Sequence, residues 1–191
     1  RMRQRPFRAP HYTISNAGLV GGGHFPKPGE ISLSHRGVLF LDELPEFKRS
    51  VLAVMRPPLE DRKVTIRRAR LSVEFPASFM LVASMNPCPC GYYNHPTTEC
   101  TCPPGNIMRY LSKVSGPLMD RIDLHVEVSP IQINDLSNIP NASESSATIR
   151  ERVTKARLIQ KTRFQKDGFE QIHNNSQIPS KFIQQVCRLK P

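Results

Sequence analysis

The sequence predicts an α/β fold: a parallel sheet flanked by helices, with β-hairpin inserts and a helical C-terminal stretch. Three observations lead there. Gly37-Val38-Leu39-Phe40-Leu41-Asp42-Glu43 holds four consecutive apolar residues without alternation and stops at two adjacent carboxylates. Such a run reads as a strand buried on both faces inside a parallel sheet. A second apolar run, Phe79 to Met85, stops at Asn86-Pro87. Between them Phe47, Val51, Leu52, Met55 and Leu59 recur at intervals of three and four, the period of an amphipathic helix.

In chain order, Arg1 to Arg8 is basic and leads into an extended segment or short strand, Ala9 to Ser15. Gly21 to Glu30 carries three consecutive glycines, but neither a Gly-Lys-Ser/Thr ending nor the spacing of a dinucleotide fingerprint. A surface loop or hairpin follows from that composition. Ile31 to His35 is a helical turn or a short strand. Pro45 to Asp61 is mainly helical, and Pro57-Pro58 should end or kink it near Arg56. Val64-Thr65-Ile66 and Leu71 to Phe75 flank Arg67-Arg68-Ala69-Arg70, giving a β-hairpin whose tip or flank carries three arginines. The alternative for these is a solvated turn with charged edge protection. The second core strand, Phe79 to Met85, delivers Asn86 to the sheet's carboxyl edge. A helix runs from Asn106 to Lys113, and Leu124-His125-Val126-Glu127-Val128 alternates as a third strand. The expected division is a core over 1–129, a linker over 130–146 and a helical region over 147–191. Ile149, Val153, Ala156 and Ile159 or Gln160 line one side of its first helix, and a short helix follows over Ser180 to Leu189.

A chain of 191 residues can bury one good core. Its net charge of +11 favours an acidic partner such as nucleic acid. The alternatives are a basic surface serving solubility, or an acidic remainder elsewhere in a longer chain. No run approaches the roughly 18 apolar residues that cross a membrane. Arg1 to Pro10 has no apolar h-region, so no signal peptide is expected. Five cysteines, an odd count, argue against a secreted disulfide scaffold. A cytoplasmic protein is expected.

The acidic pair carries the first chemistry. Ligands of open α/β sheets lie beyond the carboxyl ends of the strands. An Asp there, Asp42, can hold a nucleotide-bound Mg²⁺, and the adjacent Glu43 can orient and polarise an attacking water. This is the layout of a Walker B motif. Cys88, Cys90, Cys100 and Cys102 give C-x-C, nine residues, then C-x-C. Four thiolates so placed can close tetrahedrally on Zn²⁺; the alternative is a loop of reduced cysteines with His95 nearby by accident. Cys187 reads as a buried residue, and His24, His35 and His125 as packing or surface residues. No Ser-His-Asp or Cys-His context is present.

Several separated segments then agree on one family. They are Arg5 to His11, Val20 to Gly23 with Pro28 to Leu33, Gly37 to Phe47, Ala83 to Pro87 and Ser115 to Leu124. Over roughly residues 5–165 the chain resembles the magnesium-chelatase-like AAA+ ATPases of the bacterial ComM/YifB type. The resemblance implies an AAA+ core followed by the start of a helical lid, with ATP and Mg²⁺ as cofactors. It implies Asp42 and Glu43 as the Walker B pair, Asn86 as sensor 1 and Arg121 as an arginine finger reaching a neighbouring subunit's ATP. The hairpin of Arg67, Arg68 and Arg70 resembles the clade's pre-sensor-1 hairpin, and Gly21 to Ile31 its helix-2 insert, both facing the pore of a ring, commonly a hexamer. The partner implied is DNA, gripped through its backbone. The activity implied is ATP-driven DNA remodelling or translocation, as in branch migration during uptake and recombination. Two other functions are a metal-chelatase motor subunit and a non-enzymatic zinc-bearing DNA-binding module. Neither the family's Walker A loop nor its second-sensor arginine has a counterpart here, so the sequence is expected to be part of a longer protein and to bind ATP poorly alone. Tyr12 follows His11 where relatives often carry a second His, and no metal site is expected there.

Overall fold

A computed structural model describes residues 4–68, 71–128, 144–169 and 172–186. The chain divides into two compact units, Arg1–Pro130 and Ile131–Pro191. The first runs β1 (Phe7–Arg8), α1 (Asn16–Val20), β2 (Gly21–Gly22), β3 (Lys27–Pro28), α2 (Glu30–Leu33) and β4 (Val38–Leu41). A 3-10 turn (Leu44–Glu46) then leads to α3 (Arg49–Ala53), α4 (Arg56–Asp61), β5 (Lys63–Arg68) and β6 (Leu71–Pro76). The unit closes with β7 (Met80–Ala83), α5 (Pro104–Leu111) and α6 (Gly116–Met119).

The expected parallel α/β architecture is present. Strands β1, β4 and β7 form one sheet in that order, with both pairings parallel. Leu39 and Leu41 are fully buried and pack with Leu19, Ile31, Val51 and Met55 of the helical layer. The sheet's other face is thinner than the apolar run suggested. Val38 and Phe40 are only half-buried, because β1 is short and its Phe7, stacked on Phe40 at 6.2 Å, is itself exposed. The second run also departs from expectation. Strand β7 pairs with β4 alone among the described residues, and Met80 and Val82 are exposed. Among the described residues β7 has a strand on one side only, so its apolar run is covered less than that of β4.

Gly37 sits where β1 and β4 approach most closely. The Val38 N–H donates to the Pro6 carbonyl at 2.9 Å, and a Cβ on Gly37 would lie 1.9 Å from that same oxygen. Gly37→Ala is therefore expected to push the strands apart and cost about 1–3 kcal/mol, the usual range for overpacking. Chemical denaturation measures this, and an unmoved midpoint would show that the approach tolerates a methyl. Arg8 reinforces the same corner through two bonds to Glu30, of 2.5 and 2.6 Å, tying β1 to α2.

The glycine-rich segment forms a hairpin, β2 against β3, and Ile31 to Leu33 belongs to a helical turn rather than a strand. The helical stretch after the acidic pair is broken beside Arg56, as expected. The break falls at Val54–Met55, and Pro57 and Pro58 occupy the first turn of α4. In a first turn the amide that proline lacks has no intrahelical partner to lose. The second hairpin pairs β5 with β6 in continuous register from Lys63↔Pro76 to Arg68↔Leu71. Val64 and Ile66 point into the core while Thr65 and Arg67 are exposed. Leu124 to Val128, expected as a strand, pairs with no described residue, and Leu124, Val126 and Val128 are all more than 79% exposed, at 83%, 80% and 84%. Alternation favours a strand only where a sheet edge receives it.

In the second unit, α7 (Ser146–Lys166) is capped by the Ser145 hydroxyl, which accepts from the Thr148 amide at 3.2 Å. Gly168, at φ 77°, turns the chain after the helix, where a left-handed residue ends many helices. A 3-10 turn (Asn175–Gln177) and α8 (Ser180–Val186) follow. Phe164 is buried, whereas Ile149, Val153 and Ile159 are exposed. Most of the expected linker, Arg70 and Cys187 lie outside the described residues. No described helix is long and apolar enough to cross a membrane.

Candidate functional site

The parallel pairing brings the carboxyl ends of β1, β4 and β7 to one edge of the sheet. There β4 gives way to Asp42 and Glu43, both exposed. Glu43 adopts a left-handed backbone, φ 53° and ψ 50°, which swings the chain into the 3-10 turn. The turn is fastened from β7. The Leu44 amide donates to the Ser84 carbonyl at 2.9 Å, and the Ser84 amide to the Leu41 carbonyl at 3.0 Å. The Ser84 hydroxyl donates to Asp42 Oδ1. That same carboxylate oxygen accepts the Glu43 amide at 3.1 Å, and the amide also lies 3.4 Å from Ser84 Oγ. Asp42 is thus held by its δ1 oxygen, on two donors, in a fixed orientation beside Glu43. Ser84 was not singled out from the sequence, because its role depends on the β4–β7 register, Leu41↔Ala83.

Asn86 lies just past the end of β7, exposed on this edge. Tyr110 of α5 is buried, and its hydroxyl meets the Asn86 backbone. Burial pushes the phenol pKa up, and the charges of Glu46 and Glu43 push the same way, outweighing the opposite pull of the Asn86 amide, which donates to the Tyr110 oxygen. Lys113, one turn further, reaches Glu46 at 3.4 Å and lies 5.4 Å from the centre of the Tyr110 ring. Tyr110, Glu46 and Lys113 therefore anchor Asn86 and the acidic turn to α5. No sequence motif marks this contact, since Tyr110 reads as one more apolar position of a helix.

Arg121 follows α6 and is engaged elsewhere. Its guanidinium pairs with Glu60 of α4 and donates to the Pro117 carbonyl. Its Nε is buried without a partner among the described residues. The structure therefore brings Asp42, Glu43 and Asn86 together and sets Arg121 apart from them. Of the hairpin arginines, Arg67 is exposed on the outer face of β5, and Arg68 stands opposite Leu71 in the ladder.

The four loop cysteines converge. All four sulfurs lie within 4.8 Å of one another. The closest separations are 3.4 Å for Cys88–Cys90, 3.6 Å for Cys90–Cys100 and 3.7 Å for Cys88–Cys100. Cys90 is lowered to about 6, first by the Tyr92 amide and then by the thiols donating to it. Cys100 is pushed up to about 12: the Cys102 amide pulls it down, but burial and the Cys90 and Cys88 sulfurs outweigh that. Sulfurs this close cannot all ionise without a cation among them. His95 is used locally, its Nδ1 accepting from the Thr98 amide at 3.1 Å and the Thr97 amide at 3.3 Å. His35 accepts from the Ser78 amide at 3.1 Å, and burial, with Arg36, lowers its pKa, as suits a packing residue.

Comparison with known proteins places this geometry in a family. The family described as magnesium chelatase, subunit ChlI, matches residues 1–136, and its C-terminal counterpart matches residues 143–191. The competence protein ComM of Haemophilus influenzae is 49% identical over 187 residues, which is 98% of this chain and 35% of that protein. YifB of Escherichia coli is 45% identical over 188 residues, again 98% of this chain and 35% of that protein. The chain thus spans about a third of the length of these relatives. A crystal structure of NtrX from Brucella abortus aligns at TM-score 0.42 and 18% identity, covering 62% of this chain and 24% of that one, a likeness too slight to carry anything further. With both family models matched along the chain and close relatives over nearly its whole length, the chain belongs to the magnesium-chelatase-like family, of the ComM/YifB type.

Proposed function

We propose that this chain is part of a AAA+ ATPase that drives the remodelling or translocation of DNA. The observation that carries the reading is the acidic turn at the carboxyl edge of the parallel sheet, with Asp42 oriented by Ser84 and Glu43 set beside it. Exposed carboxylates are hard oxygen donors, so the residues present fit Mg²⁺. Asp42 would hold the ion that accompanies ATP, and Mg²⁺–ATP supplies the phosphoryl group when bound. Glu43 orients a water and takes its proton. Asn86 positions that water, and Arg121 stabilises spreading negative charge across a subunit interface of a ring, a hexamer in our reading. In this reading residues 1–129 are the AAA+ core, 130–146 a linker and 147–191 the start of the lid. The free thiols fit a reducing compartment, the cytoplasm.

Charge supports DNA as the substrate. The chain carries +11 overall, β5 ends with Arg67 and Arg68, and Arg70 follows two residues on in the sequence. Arginines there can hold a phosphate backbone without reading sequence. The test is ATP turnover by the full-length protein, with and without branched or single-stranded DNA. Stimulation by DNA is expected. Changing Arg67, Arg68 and Arg70 to glutamate should weaken DNA binding at low salt. It should also lower the slope of log affinity against log salt by about 1 for each arginine engaged. Unchanged binding would remove the hairpin from the interface. Turnover that responds to a porphyrin instead would favour a chelatase motor, and binding without any turnover a non-enzymatic DNA-binding module.

A further inference from the structure

We infer that Cys88, Cys90, Cys100 and Cys102 hold a structural zinc ion that braces the exit of β7. Zinc bound by four sulfurs at about 2.3 Å in a tetrahedron sets them about 3.8 Å apart. The separations of 3.4, 3.6 and 3.7 Å found here approach that figure. Backbone amides add to the match. The Tyr92 amide meets the Cys90 sulfur, the Cys102 amide that of Cys100, and the Cys90 amide that of Cys102. Donors aimed at sulfur compensate the negative charge that four thiolates keep even around a dication.

The loop has little else to hold it. From Ser84 to Pro103 the chain has no helix or strand, and Cys88 is its one buried residue. Irregular segments of this length are uncommon in compact domains without a ligand or a role of their own. No apolar cluster within the loop offsets the entropy of ordering it, so a cation is the remaining source of order. Local geometry also suits a metal knot. Gly91, at φ 84°, turns the chain back directly after Cys90, and the Gly91 amide donates to the Cys88 carbonyl at 3.0 Å. His95 is occupied by the Thr97 and Thr98 amides, which leaves the four sulfurs as the ligand set. Zinc is favoured over harder divalent ions by an all-thiolate tetrahedron.

The placement gives the ion a function. Cys88 lies two residues after Asn86, and Cys102 two residues before the start of α5 at Pro104. Closing the sulfurs on one ion therefore clamps the end of β7 to the beginning of the helix whose Tyr110 meets the Asn86 backbone. Asn86 is held from both sides. Metal binding stands independently of the ATPase reading; the claim that it matters for Asn86 as a water-positioning residue rests on that reading.

The full-length protein, purified without a polyhistidine tag, is analysed for metals by inductively coupled plasma mass spectrometry. One zinc per chain is expected, falling to a small fraction in Cys100→Ser and Cys102→Ser. Since a lost ligand can also unfold the loop, the unaltered protein is exchanged with Co²⁺. Strong sulfur-to-cobalt charge transfer with intense tetrahedral bands is expected, whereas a pale oxygen-ligated spectrum, or iron in place of zinc, would overturn the site. Hydrogen exchange then compares zinc-loaded and chelator-stripped protein. Faster exchange confined to Cys88–Cys102 and the start of α5 supports the brace, and identical exchange overturns it. Neither readout involves nucleotide, so a failure of the ATPase reading leaves both results standing.

Discussion

Glu43→Gln is expected to lower ATP turnover of the full-length protein by about 10²–10⁴-fold while nucleotide binding persists, the range for losing a positioned general base. The substitution keeps the shape of the side chain and removes only its ability to take a proton. It also leaves the turn intact. The bonds that fasten residue 43, to Asp42 Oδ1 and Ser84 Oγ, come from its backbone amide and survive any side-chain change. A fall in turnover therefore cannot be assigned to a collapsed loop. Phosphate release and equilibrium binding of a fluorescent nucleotide, measured side by side, separate the two effects. Turnover at the original level would take Glu43 out of the mechanism.

Arg121→Ala is expected to cost about 10³–10⁵-fold in turnover, the value of an arginine finger supplied to phosphoryl transfer. Stability should barely move. The pair with Glu60 is partly exposed, 31% and 50% for the two side chains, and such pairs contribute about 0–1 kcal/mol. A melting temperature close to the original, beside a large loss of turnover, distinguishes catalysis from folding. Because the residue is proposed to act on a neighbour's nucleotide, mixing Arg121→Ala subunits with Glu43→Gln subunits should restore part of the activity. In mixed rings some sites pair an intact arginine with an intact glutamate. Failure of mixing to restore any activity would place the action of Arg121 within its own subunit. The Glu60 contact adds a requirement to the proposed role: Arg121 must leave its carboxylate partner before it can reach across an interface.

Much of this arrangement was legible in the sequence, and the reasons differ by element. The run Val38 to Leu41 announced β4 because buried parallel strands exclude polar residues locally. Asp42 and Glu43 were visible because two carboxylates ending such a run are chemically conspicuous. The cysteines were found by spacing alone. Hidden features depended on contacts between distant residues. Ser84 reaches Asp42 only through the β4–β7 register, Glu60 reaches Arg121 only through the placement of α4 beside α6, and Tyr110 looks like ordinary helix core. Other expectations fail because local pattern does not carry its surroundings. Leu124 to Val128 has strand periodicity but no strand to pair with among the described residues. Pro57-Pro58 does mark the break beside Arg56, but local pattern does not show that a second helix starts on the pair.

The left-handed backbone of Glu43 has a consequence for how the sequence can change over generations. A side chain other than glycine held at φ 53° costs roughly 1–2 kcal/mol, and glycine or asparagine there would relieve it. A variant pool sorted only for resistance to heat or protease would enrich those two residues at position 43. The same pool sorted for ATP turnover would purge them. With Glu43 in its proposed role, sturdiness and catalysis thus select in opposite directions at one residue. In a lineage that retained the fold after losing its chemistry, this glutamate should be among the first residues to drift.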